Sequence, residues 1–120
     1  RMSPHARYFR FGRGDLQSEL RQELTKNDAP HAVVADGGVE FSEANATAVM
    51  SCVCRVRDRQ FPWYLLICDS ERQFAECSDA LKKLGLPFIA EHRERGRTLL
   101  VRRADKGKLI HVFDDGRPRS

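Results

Sequence analysis

The chain has 120 residues, of which 41% are hydrophobic and 32% charged, with a formal net charge of +4 at pH 7. That length suits one domain, which buries about two-thirds of its unfolded surface and needs no disulfide or metal staple. No apolar run reaches the ~18 residues of a membrane span and no charged-then-apolar leader opens the chain, so a membrane protein or an exported one is not expected.

Arg1 before Met2 is read as an added residue, and residues 1–4 as frayed. Residues 6–11 alternate as a strand does, with Arg7, Phe9 and Phe11 on one face and Tyr8 and Arg10 on the other. Gly12 and Gly14 break the strand. Asp15 is the expected N-cap of a helix over about 16–26, whose Leu16, Leu20 and Leu24 form a narrow stripe. Asp36-Gly37-Gly38 between His31–Ala35 and Val39–Phe41 signals a tight hairpin. Ser42 caps a second helix, about 43–58, with Ala46, Val49, Met50 and Val53 on its apolar face.

Residues 63–68 are continuously apolar, which predicts a central strand covered on both faces. Ser70-Glu71-Arg72-Gln73 fits a capping box for a helix over 71–84, closed by Gly85. Three strands, about 87–92, 97–103 and 108–113, complete the chain as an antiparallel meander, with a frayed tail from Asp114. The order β-α-ββ-α-β-α-βββ gives a single α/β (α+β) domain. Its first six elements have the ferredoxin-like β-α-β-β-α-β order.

The four cysteines contain no C-x-x-C, and three of them lie in predicted helices. They read as small buried apolar residues of a reducing cytoplasm, with neither a disulfide nor a structural metal. No P-loop, dinucleotide glycine fingerprint or D…E-x-K nuclease pattern occurs, so no cofactor is implied.

Charge is segregated along the chain. Residues 1–13 hold four arginines and no acid; residues 14–90 hold eight bases and twelve acids; residues 91–120 hold nine bases and five acids. Sixteen of the 21 bases are arginine, the side chain best suited to bidentate phosphate contacts. Two basic clusters follow: Arg7, Arg10 and Arg13 with Tyr8 as a stacking ring, and Arg93, Arg95, Arg97, Arg102, Arg103, Lys106 and Lys108 on the terminal hairpin. The plain alternative is that Phe9 and Phe11 are core, and that the charges only keep a strand edge soluble.

Residues 38–50, a glycine-led strand followed by an alanine- and valine-bearing helix, resemble the third strand and second helix of RNA recognition motifs. That family's stacking aromatics do not appear beside Gly38. Residues 32–88 carry an Asp-x-Gly hairpin, an Ala/Val helix, an apolar strand, Asp69-Ser70-Glu71-Arg72-Gln73-Phe74 and a helix ending at Leu84-Gly85-Leu86. This order resembles the large polyvalent-protein-associated domains of plasmid relaxases and primases. The resemblance implies a bacterial mobile-element setting and brings no active site.

The leading expectation is a non-catalytic nucleic-acid-binding accessory protein of bacterial DNA or RNA processing. The alternative is a protein-interaction module (immunity, inhibitor or adaptor protein) working through Asp15, Glu19 and Glu23 on the first helix. Third is a small metal-independent nuclease or phosphodiesterase using His92 and His111 as acid and base.

Overall fold

The computed structural model describes residues 6–109 and the short strands at 113–114 and 117–118. The first strand, β1 (Arg7–Phe11), alternates as its sequence predicts: Phe9 and Phe11 are buried, and Arg7, Tyr8 and Arg10 are partly exposed. Helix α1 (Gly14–Lys26) starts earlier than expected, with Arg13 at the N-cap position. Asp15 is therefore a first-turn acid and not the cap. Its carboxylate accepts from Arg13 Nε at 3.2 Å and Nη2 at 2.7 Å, and it sits at the positive end of the helix dipole.

Strands β2 (Ala32–Val33) and β3 (Val39–Phe41) form the expected hairpin. Gly37 takes a left-handed φ of 86° in its turn. A short 3-10 turn (Glu43–Asn45) leads into α2 (Ala46–Gln60), and β4 (Trp63–Cys68) follows. At the start of α3 (Glu71–Lys83), Ser70 Oγ accepts from the Gln73 amide at 3.1 Å. The Gln73 side chain returns to the Asp69 amide at 2.7 Å, one residue earlier than a standard capping box. Gly85, at φ 69°, closes the helix, and the Leu86 amide reaches back to the Leu81 carbonyl at 3.0 Å. Strands β5 (Phe88–Arg93) and β6 (Arg97–Arg102) are joined through Gly96.

The six strands form one sheet in the order β2-β3-β1-β5-β6-β4, with every neighbouring pair antiparallel. Two expectations change with this order. In the ferredoxin-like arrangement the strand after the second helix lies beside β1. In this sheet β5 takes that place, and the β5–β6 hairpin separates β4 from β1. Accordingly β4 is an edge strand rather than a central one, and its Ile67 is 39% exposed.

The three-stranded terminal meander is also corrected. After β6 the chain enters a 3-10 segment (Arg103–Leu109). The buried Asp105 carboxylate holds it closed, accepting from Arg102 Nε at 2.8 Å and Nη2 at 3.1 Å, with Lys108 Nζ 3.6 Å away. Leu109 is buried beneath it. Phe113–Asp114 (β7) and Arg117–Pro118 (β8) form a separate small hairpin. Residues 1–5, 110–112, 115, 116, 119 and 120 lie outside the described residues.

The sheet is the middle of three layers. On one face α1 and α2 pack Leu16, Leu20, Leu24, Val49, Val53 and Val56 against Phe9, Phe11, Val39, Phe41, Ile89 and Leu100. On the other face α3 packs Cys77 and Leu81 against Leu66, Cys68, Leu99 and Val101. Burial pushes the Cys77 thiol up to about 12, which fits its reading as a small core residue. Among the described residues, all four cysteines are free and no metal-ligating cluster is present. No described helix is long and apolar enough to cross a membrane.

Candidate functional site

Because the core under α3 takes in β4, β6 and Phe88 and Ala90 of β5, the part of this face that no described helix covers is β2, β3, β1 and the His92 end of β5. Strand alternation sends Tyr8 and Arg10 of β1, Glu40 of β3 and His92 of β5 to that open surface. Register then aligns three of the sequence-predicted residues. Arg10 pairs with His92 across β1–β5, and His92 pairs with Arg97 across β5–β6. Two segments more than 80 residues apart thus contribute to one row of side chains.

Tyr8 is held at one end of this row. Its hydroxyl donates to Asp36 Oδ2 at 2.5 Å and accepts from Arg10 Nε at 3.2 Å. Burial and the bond to Asp36 raise the Tyr8 pKa, and the bond from Tyr8 is the largest of the contacts that lower that of Asp36. The Tyr8 ring lies across Gly38, where an added Cβ would collide with the ring and its hydroxyl. A glycine in the turn leading into β3 therefore makes the room that the aromatic needs.

At the other end, Arg97 Nε is 3.1 Å from Glu71 at the start of α3, and its guanidinium stacks 4.5 Å over the Phe74 ring. His92 stands between the two arginines and is half-buried. Burial, then Arg10 and Arg97, hold its pKa below the ordinary histidine value, partly opposed by Glu71 and Asp36. The imidazole is consequently neutral at pH 7.

The other predicted basic residues do not join this row. Arg7 is engaged by Glu43 at 3.0 Å and Glu94 at 3.1 Å. Arg13 is held by Asp15. Arg93 points to the helix-covered face, 5.5 Å over the Phe9 ring, and burial lowers its pKa. Arg95 sits in the β5–β6 turn and is exposed, with no carboxylate partner among the described residues. Arg102, Arg103, Lys106 and Lys108 lie at the far end of β6 and in the 3-10 segment. Arg102 and Lys108 share Asp105, and Lys106 lies 5.0 Å over the Tyr64 ring.

The acidic face expected on α1 is neutralised within the fold. Arg59 Nη1 bonds Glu19 at 2.6 Å and its Nη2 bonds Glu23 at 2.7 Å, while Arg13 occupies Asp15. His111, the second histidine of the nuclease reading, lies outside the described residues. His92 has no second imidazole beside it among the described residues.

Sequence reasoning missed Asp36, Gly38 and Glu40 as members of the open face, although the Asp-Gly-Gly turn marked their neighbourhood. It also missed a buried pair on the covered face. Glu91 is 0% exposed and Arg57 4%. Arg57 Nε and Nη2 bond the two Glu91 oxygens at 2.8 and 2.7 Å, and Thr98 donates to Glu91 Oε1 at 3.0 Å. The same guanidinium lies 4.8 Å over Trp63. Every buried polar side-chain atom among the described residues has a partner.

No protein-family model matches the chain, and no curated protein or solved structure matches it at a significant level.

Proposed function

We propose that the protein binds single-stranded nucleic acid across the open half of its sheet, as a non-catalytic accessory factor of bacterial DNA or RNA processing. The observation that carries this reading is the cross-strand row Arg10–His92–Arg97, which runs from Tyr8 on the uncovered side to the edge of α3 at Arg97. Tyr8 offers a stacking face, worth about 1–3 kcal/mol per base. The two arginines offer phosphate contacts, and Arg95 adds a cation at the rim. A four-strand half-face is about 15 Å wide, the scale of one extended strand rather than of a duplex. Tyr8 stands on β1, a middle strand of the sheet, which parallels the way sheet-based RNA binders expose their aromatics. The setting in mobile elements rests on the resemblance of residues 32–88 alone.

Fluorescence anisotropy with labelled single-stranded DNA, single-stranded RNA and duplex DNA tests the reading. Contact with two or three phosphates predicts that log affinity falls with log salt at a slope of about −1.4 to −2.1. Single strands should bind more tightly than the duplex. An absence of binding at low salt, or binding indifferent to salt, would remove the proposal.

A further inference from the structure

We propose that Arg10, His92 and Arg97 form a discrete seat for one phosphate group, an anchor point within the open face. The inference rests on reading that face as the nucleic-acid surface, and it names the nucleotide group that the row takes.

The arginines of this fold are engaged in two different ways. Arg7, Arg13, Arg57, Arg59 and Arg102 each give two guanidinium nitrogens to carboxylates. Arg10 and Arg97 engage by Nε alone, as Arg72 does on the outer side of α3, but only these two share the row with His92. Arg10 uses Nε, toward the Tyr8 hydroxyl at 3.2 Å and Asp36 at 3.8 Å. Arg97 uses Nε toward Glu71, and Phe74 fixes the plane of its guanidinium. The Nη groups of both make no hydrogen bond to a described residue. Each arginine is thus oriented by a carboxylate on its Nε side and retains its outer donors for a ligand.

His92 completes the seat. Directly opposed residues of neighbouring antiparallel strands have Cβ atoms about 4.5–5.5 Å apart, so the imidazole lies between two guanidinium-bearing side chains. A phosphate accepts hydrogen bonds from a neutral imidazole N–H and from both arginines. Its negative charge also offsets the repulsion that Arg10 and Arg97 exert on the protonated ring. The charged groups that face His92 are Arg10 from β1, Arg97 from β6, Glu71 from α3 and Asp36 from the β2–β3 turn. The two carboxylates that orient the arginines are themselves exposed, with side chains 53% and 72% accessible. Anion binding should therefore draw a proton onto His92, and affinity should rise as pH falls.

The test is a solution NMR titration of the labelled full chain with inorganic phosphate, uridine 5′-monophosphate, uridine and sulfate. Sulfate separates the histidine's titration from that of the ligand. Phosphate, the mononucleotide and sulfate should shift the His92 ring and the Arg10 and Arg97 side-chain signals saturably, and should raise the His92 titration midpoint. Uridine should do neither. Arg10→Gln and Arg97→Gln should each weaken the phosphate about tenfold, Arg97→Lys less, and Arg72→Gln on the outer side of α3 not at all. Shifts that never saturate, or that Arg72→Gln weakens equally, would overturn the seat. An oligonucleotide that binds without moving His92 would overturn it too, while leaving the nucleic-acid reading intact. Phosphate seated normally with no gain in affinity for oligonucleotides would support the seat and defeat that reading instead.

Discussion

On the covered face of the sheet, Arg57 is buried and fully matched: two of its nitrogens meet both oxygens of Glu91, and Trp63 stacks on its plane. On the open face, Arg10 and Arg97 are each held by one nitrogen and remain partly exposed. The residue type is the same, although Arg57 reaches the sheet from α2 whereas Arg10 and Arg97 stand on its strands. What differs is how many donors the fold consumes. A fully consumed guanidinium is a structural element, costly to leave unmatched in a low-dielectric interior. A half-consumed one is oriented and still competent to bind. Counting arginines in the sequence could not separate these two cases, whereas their engaged nitrogens together with their place on the sheet do.

The sharpest way to break the comparison is to unmatch the buried pair. Glu91→Ala leaves the Arg57 charge buried alone and should lower stability by about 3–5 kcal/mol in urea unfolding. Joint replacement, Arg57→Met with Glu91→Leu, should recover most of that loss, because a well-packed apolar pair can replace a buried ion pair. A loss under about 1 kcal/mol for Glu91→Ala would mean that the pair is not closed in solution.

The open face should respond in the opposite way. Arg10→Ala combined with Arg97→Ala should reduce oligonucleotide affinity by about ten- to a hundredfold in anisotropy. The same variant should move stability by no more than about 1 kcal/mol, since exposed pairs contribute little. Large destabilisation without a change in affinity would reverse the roles assigned to the two faces.

Gly38→Ala probes the link between them. Gly38 does not have a positive φ, so alanine is tolerated by the backbone and its cost arises from the Tyr8 ring alone. The variant should lose about 1 kcal/mol of stability and several-fold in oligonucleotide affinity. In a Tyr8→Ala background the stability cost of Gly38→Ala should largely vanish, a coupling that a double-mutant cycle measures.

Acid titration gives a smaller effect. The His92 pKa is lowered in the folded state, so the unfolded chain binds the proton more readily. The stability this represents is present above about pH 6.5 and is lost as pH falls through the lower folded value. Urea midpoints at a series of pH values should therefore decline less steeply for His92→Gln over that window. A steeper decline in the variant would mean that folding raises the His92 pKa instead of lowering it.

How much of this was legible in the sequence follows from the range of each interaction. The alternation of β1, the Ser70–Gln73 cap and the Gly85 stop are local, and each was readable from a few consecutive residues. Strand order is not local. Whether β4 or β5 lies beside β1 depends on pairing between segments some 80 residues apart, and the apolar run of β4 fits an edge strand shielded by α3 as well as a central one. The hairpin cluster Arg93, Arg95 and Arg97 looked like one patch. Alternation and the turn at Gly96 distribute it between the covered face, the turn and the open face. The Arg57–Glu91 pair is separated by 34 residues and had only one trace, a glutamate at an inward-facing strand position. The partner of Glu19 and Glu23 was likewise unreadable, because Arg59 reaches them from another helix.

The most direct measurement is a map of backbone amide shifts in the full labelled chain on titration with a single-stranded oligonucleotide. Saturable changes should concentrate at Tyr8, Arg10, Gly38, Glu40, His92 and Arg97, and spare the exposed sides of α1 and α2. Changes confined to those helices, or to the 3-10 segment around Lys106, would contradict binding on the open face.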